Sequence, residues 1–163
     1  MRYVTVDELV YINEQVVTGE AIHTIVEGKR AVRDIGLLAA AAARPEASAF
    51  GEDAYPTLNE KAAVLLHGIT RNHPFADGNK RTATVAALFM LAVNGQQVTW
   101  AAEAALEWIV ALAEGKRTAV AFAEWLPTTP AVANLEPDAN RDAALIATLV
   151  HEHDWLLTEL AGR

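Results

Sequence analysis

Apolar residues recur along most of the chain at intervals of three and four, the spacing of one helical face, and Pro, Gly or capping residues separate the stretches. Thr5-Val6-Asp7-Glu8 has the form of a capping box and predicts a first helix running to about Val17, stopped near Gly19. A second, rich in Leu and Ala, is predicted from Asp34 until Pro45, because proline pushes its predecessor out of the α region. The stretch RPEASAFGEDAYP, residues 44–56, breaks the period and reads as a loop or small hairpin. Thr57-Leu58-Asn59-Glu60 opens a helix with Leu58, Ala62, Leu65, Leu66 and Ile69 on one face, which must end by His73, before Pro74. Val85, Leu88, Phe89 and Ala92 mark the next face, closed by Asn94-Gly95, a pair suited to a left-handed cap. Further helices are predicted over residues 101–114 and 118–126. PTTPAVANLEP, 127–137, with its three prolines, then reads as a linker to a last amphipathic helix from Asp138 to about Leu160.

Composition agrees with this pattern. Of 163 residues 52% are hydrophobic and only 7% aromatic, with many alanines, which favours closely packed helices over a sheet. The fold class is read as all-α, with one domain over residues 1–126, the linker, and a C-terminal helix over 138–163. No cysteine occurs, so disulfides and thiolate metal sites are excluded. The start, MRYVTVDELV, carries no secretory signal, and no apolar run reaches the roughly 20 residues of a membrane span, so the expected home is the cytoplasm. A net charge of −8 argues against direct nucleic-acid or membrane binding, which leaves any phosphate site local.

One stretch has that local character. NHPFADGNKRTA, Asn72 to Ala83, lies between two predicted helices and holds a His, an Asp, two Asn, a Lys and an Arg. Gly78 and Asn79 tolerate the positive φ that turns successive N–H groups into one concavity, and a helix N-terminus behind them attracts anions. Lys80, Arg81 and the nearby Arg71 add positive charge against a single acid, Asp77. A carboxylate beside phosphates calls for a hard cation between them, and Mg²⁺ prefers one or two carboxylates plus phosphate oxygens. His73 offers an imidazole, the natural general base near neutral pH. Taken one at a time, these residues also read as a helix-end His, ordinary turn chemistry and a solvated Lys-Arg pair.

Together they closely resemble the signature of the Fic/Doc superfamily, His-Pro-Phe-x-Asp/Glu-Gly-Asn followed by basic residues. The resemblance extends to the flanking helices YPTLNEKAAVLLHGITRN and TATVAALFMLAVNG, and more loosely over residues 1–126. Members that transfer AMP continue Asn-Gly-Arg-x-x-Arg. Here Lys80 replaces that Gly and Thr84 the final Arg, as in the Doc (death-on-curing) toxin branch. The resemblance implies a Fic/Doc helical bundle with a small flap before the motif helix, at residues 47–55. It implies a toxin, restrained by an antitoxin protein, that moves the γ-phosphate of Mg-ATP onto a threonine of elongation factor Tu and blocks translation. In that reading His73 is the base and Asp77 the Mg²⁺ ligand. Gly78 and Asn79 form the anion nest, Lys80 and Arg81 hold phosphates, and Arg71 touches nucleotide or target. Phe75 is read as a core plug pinning the loop. A lysine at position 80 would close the usual diphosphate pocket and favour the reversed nucleotide. The alternatives are a Fic-type AMP transferase and a catalytically silent antitoxin-binding module.

Residues 127–163 carry six acidic side chains (Glu136, Asp138, Asp142, Glu152, Asp154, Glu159) against two basic ones (Arg141, Arg163). An acidic tail can fold over the basic loop and inhibit it, in which case its deletion raises activity. The plainer expectation is a helix whose Leu145, Leu149, Trp155 and Leu156 side packs on the body or on a second copy. His151 and His153 stand two apart on a predicted helix, point apart and cannot share a metal. His67 and His23 have no partner in the sequence, and Trp100, Trp108 and Trp125 read as packing.

Overall fold

The computed structural model describes residues 1–17 and 31–163. Among them are eight α-helices, one 3₁₀ turn and two two-stranded ribbons, the all-α architecture the sequence pattern predicts. Helix α1 (Val6–Val16) opens with the full capping box: the Thr5 hydroxyl accepts from the Glu8 N–H, and the Glu8 carboxylate accepts from the Thr5 N–H. The stop expected near Gly19, and His23, lie outside the described residues. Helix α2 (Ile35–Ala43) is capped by the Asp34 carboxylate and runs into the 3₁₀ turn Arg44–Glu46, where Pro45 ends the α pattern.

The hairpin expected before the motif helix is present. Strand β1 (Ser48–Ala49) pairs antiparallel with β2 (Glu52–Asp53) across Phe50 and Gly51, whose φ values of 55° and 79° are the paired positive angles that tight hairpin turns require. Helix α3 (Leu58–Asn72) then packs along α4 (Asn79–Val93), and these two form the centre of the fold. Every residue of α4 from Thr82 to Leu91 is buried, so the helix is enclosed all round and serves as the core's spine. Its N-terminus reaches the surface, and the HPFADGNKR loop sits there.

Two features depart from the sequence pattern. After α4, strand β3 (Gln96–Val98) pairs antiparallel with β4 (Thr128–Pro130), inside the stretch expected as a linker, with Gln97 opposite Thr129. Pro130 is tolerated because it sits at the end of an edge strand. Between the strands lie α5 (Ala102–Ala113) and α6 (Ala119–Trp125), where Trp100, Trp125 and Trp108 stack in series at 6.1 and 5.0 Å.

The last helix, expected as one, is two: α7 (Ala139–Glu152) and α8 (Asp154–Ala161), broken at His153, whose ring stands edge-on to Trp100. The break lets both apolar faces reach the core, through Ile146 and Leu149 on α7 and Leu156, Leu157 and Leu160 on α8. Trp155 faces solvent instead. The buried Arg2 ties α7 to α1 by ion pairs of 2.6 Å to Asp142 and 2.8 Å to Glu8. That pairing outweighs burial and holds the Asp142 carboxyl below its ordinary range.

Candidate functional site

Helix α3 ends abruptly at His73, which adopts φ 50° and ψ 58°. Left-handed backbone is uncommon outside glycine, though His is among the residues that enter it more readily. Pro74, which lacks an N–H, cannot continue the helix. Arg33 stabilises the turn: its Nε donates to the His73 carbonyl at 2.6 Å and an Nη to the Asn72 carbonyl at 2.8 Å. The chain before α2 runs alongside, with the Arg33 and Asp34 N–H groups donating to the Pro74 carbonyl and Ala76 N–H to the Ala31 carbonyl. The His73 side chain stays exposed.

The loop between the helices is braced from within. Phe75 is buried in the core, as its reading as a plug requires. The Asn79 side chain pairs twice with the Phe75 backbone, accepting from its N–H at 2.9 Å and donating to its carbonyl at 3.0 Å. From α1, buried Asn13 donates to the Asp77 carbonyl at 2.9 Å and the Thr82 hydroxyl at 3.0 Å. Gly78 has φ 72°, and a Cβ there would lie 2.3 Å from Val17 Cγ1, so both its backbone angle and its contact with α1 demand glycine.

Gly78 is the N-cap of α4 and supplies no side chain, so nothing of its own occupies the N–H groups of the first turn. They open on a cavity of about 220 Å³ lined by residues 76–81, His73, and Leu160, Ala161 and Arg163 from the tail. Lys80, Arg81 and Arg163 line it with one side-chain carboxylate, that of Asp77. Arg81 donates to the Val16 carbonyl at 2.9 Å and reaches the Asp77 carboxylate at 3.5 Å, while Lys80 Nζ donates to the Arg163 main-chain oxygen at 3.2 Å. Helix dipole, amides and cations thus act on the same small volume.

The structure brings His73, Asp77, Gly78, Asn79, Lys80 and Arg81 together around this cavity. It places Arg71 elsewhere: an Nη donates to the Ala113 carbonyl at the end of α5, and the side chain lines a different cavity. Thr84 is fully buried, its hydroxyl bonded to the Lys80 carbonyl. Among the described residues no three His, Asp or Glu side chains gather into a metal site, and none of the helices is long and apolar enough to cross a membrane. One exposed carboxylate beside these cations and amides would fit Mg²⁺, an ion that takes one or two carboxylates along with phosphate oxygens and water. Asn13, Arg33 and Arg163 were not predicted. Asn13 alone left a trace, as a polar residue one turn after Leu9 on the apolar face of α1.

The sequence model of the Fic/DOC family matches residues 3–91, from α1 to the last turn of α4. The chain belongs to the Fic/DOC family. Over 71 residues it is 56% identical to a protein of Mycolicibacterium smegmatis named Toxin Doc, a stretch covering 44% of this chain and 55% of that one. The chain therefore spans about half the length of that curated relative. The family match ends before β3, so the ribbon, α5, α6, α7 and the α8 end that walls the cavity lie beyond it.

Proposed function

We propose that this Fic/DOC chain is the toxin of a toxin–antitoxin pair, an enzyme that transfers the γ-phosphate of Mg-ATP to a threonine hydroxyl of elongation factor Tu and so blocks translation. The observation that carries this reading is the anion cradle at the start of α4, with an exposed imidazole at its rim. The name of the M. smegmatis relative supports the toxin role, and with it a cognate antitoxin as partner.

The chemistry follows from the residues. His73 takes the proton of the threonine hydroxyl as its oxygen attacks the γ-phosphorus. The bond from that phosphorus to the β-γ bridging oxygen breaks, and ADP leaves. Amides of the α4 first turn, Lys80 and Arg81 hold the phosphates where charge develops, which is most of what phosphoryl transfer asks of a protein. Asp77 would hold Mg²⁺, which would supply positive charge to the phosphates.

Two observations favour the γ-phosphate over AMP. Lys80 lines the cavity where AMP-transferring members carry glycine, so a long cationic side chain, its ammonium donating to the Arg163 main-chain oxygen, stands where those members would leave room for a stationary diphosphate. Position 84, an arginine in those members, is here a buried threonine that brings no charge to the site. Incubation with elongation factor Tu and ATP labelled at either the γ- or the α-phosphorus tests the proposal. Label from γ alone is expected; label from α makes the chain an AMP transferase, and none from either makes it a silent binding module.

A further inference from the structure

A second cavity, of about 530 Å³, lies on the other side of α3, between the hairpin side of the fold and the α5–α6 turn. Three guanidinium groups, Arg44, Arg71 and Arg117, line it together with His67, and its one acid is Glu60. In a chain of net charge −8 this is a concentration of positive charge. Each guanidinium is held by neutral groups. Arg44 donates to the Tyr55 hydroxyl at 3.3 Å and contacts His67 Nδ1 at 2.8 Å, Arg71 donates to the Ala113 carbonyl, and Arg117 lies 3.7 Å over the Trp108 ring.

No carboxylate among the described residues stands within ion-pair distance of any of the three. Gly115, with φ 76°, lies against the Arg71 guanidinium at the end of α5, where an added Cβ would stand 3.1 Å from it. Three pre-positioned cations without a counter-ion repel one another. Burial first, then the charges of Arg44 and Arg71, keep the half-buried His67 imidazole below its ordinary pKa and so neutral.

We infer that this cavity is a docking site for glutamate or aspartate side chains of a polypeptide partner. Arginine forks match carboxylates geometrically, and Val64, Ala119 and Val120 add an apolar lining that suits side-chain methylenes. A nucleic-acid backbone is the poorer occupant, because the rest of the surface is acidic and would repel it. Arg71 and His73 stand two residues apart and line different cavities, so binding here does not depend on the proposed transferase reading.

The test uses the full chain without nucleotide, titrated with an acetylated, amidated Glu-Glu-Leu-Glu-Glu peptide and its glutamine counterpart and followed through the His67 imidazole signals. The glutamate peptide is expected to bind at least about tenfold more tightly than the glutamine one. It should raise the His67 pKa, because carboxylates offset the Arg44 and Arg71 charges. R44Q/R117Q should bring glutamate binding down to the glutamine level, and R117K, which keeps charge and stem, should retain most of it. If the double variant does not fold, R117Q alone, at an exposed position outside the core, carries the comparison.

Equal binding of the two peptides, or glutamate binding undiminished in the variants, overturns the inference. So does inorganic tripolyphosphate shifting the His67 signals at lower concentration than the peptide, which would make this a phosphate site. Failure of phosphate transfer in the labelling assay would sink the proposed reaction while leaving this binding test intact.

Discussion

Replacing Gly78 by alanine probes how the loop is built. Two costs add. An alanine held at φ 72° carries about 1–2 kcal/mol of left-handed strain. Its Cβ would also stand 2.3 Å from Val17 Cγ1, where ordinary contact begins at 3.4 Å, so about 1 Å of movement is needed. Val17 is buried, and overpacking of this kind costs roughly 1–3 kcal/mol. The sum is about 2–5 kcal/mol, or roughly 4–20 °C in Tm for a chain of this size.

Displacing the cradle by about 1 Å should also lower transfer about 100-fold, since positioning carries the reaction. Thermal unfolding of G78A, V17A and the double variant separates the two costs. V17A alone loses buried methyl groups, about 1.5–3 kcal/mol. In the double variant the overlap is gone and only the strain remains, so a favourable coupling of about 1–3 kcal/mol is expected between the sites. Loss of less than about 1 kcal/mol in G78A, or no coupling, would refute the close approach of α1 to the loop.

Two other outcomes follow from single side chains. N79A removes both bonds to the Phe75 backbone and should cost about 1–3 kcal/mol of stability and weaken Mg-ATP binding, measured by denaturant unfolding and calorimetry; unchanged binding would mean the loop holds its shape without that brace. His153 has its pKa lowered by burial, opposed by Glu152, so the folded state binds fewer protons than the unfolded one. The stabilisation is then complete above the imidazole's ordinary value and is lost as pH falls below it. Tm should decline from pH 7 to pH 5, less steeply in H153Q, and an identical slope in the two proteins would contradict the burial of this ring at the α7–α8 break.

Local features of this structure were legible in the sequence, and distant ones were not. The helices announced themselves because Leu58, Leu65 and Ile69 in α3, or Val85 and Leu88 in α4, keep a 3.6-residue period against a core. The motif cavity was legible because His73 to Arg81 are contiguous, so a turn between two helices already gathers them. The β3–β4 ribbon left no mark, since three-residue strands some 30 positions apart pair through backbone groups that every sequence carries. Nor did the α7–α8 break, because the apolar pattern runs through His153 and the turn is set by what lies beneath it, Trp100 and α5. Arg33 and Arg163 reach the site only through tertiary structure. Of Gly78 and Asn79, both read as able to take a positive φ, only Gly78 does so; Asn79 is already helical, and its side chain holds Phe75 in place.

The central claim is that the α4 cradle grips the phosphates of Mg-ATP while His73 alone supplies the base. Single-turnover transfer from Mg-ATP to elongation factor Tu by H73A, with nucleotide affinity measured on the same sample, tests it directly. The expected result is affinity within a few fold of the wild-type chain and transfer reduced by about 100-fold or more. Transfer at the wild-type rate, or loss of nucleotide binding along with it, would contradict the account.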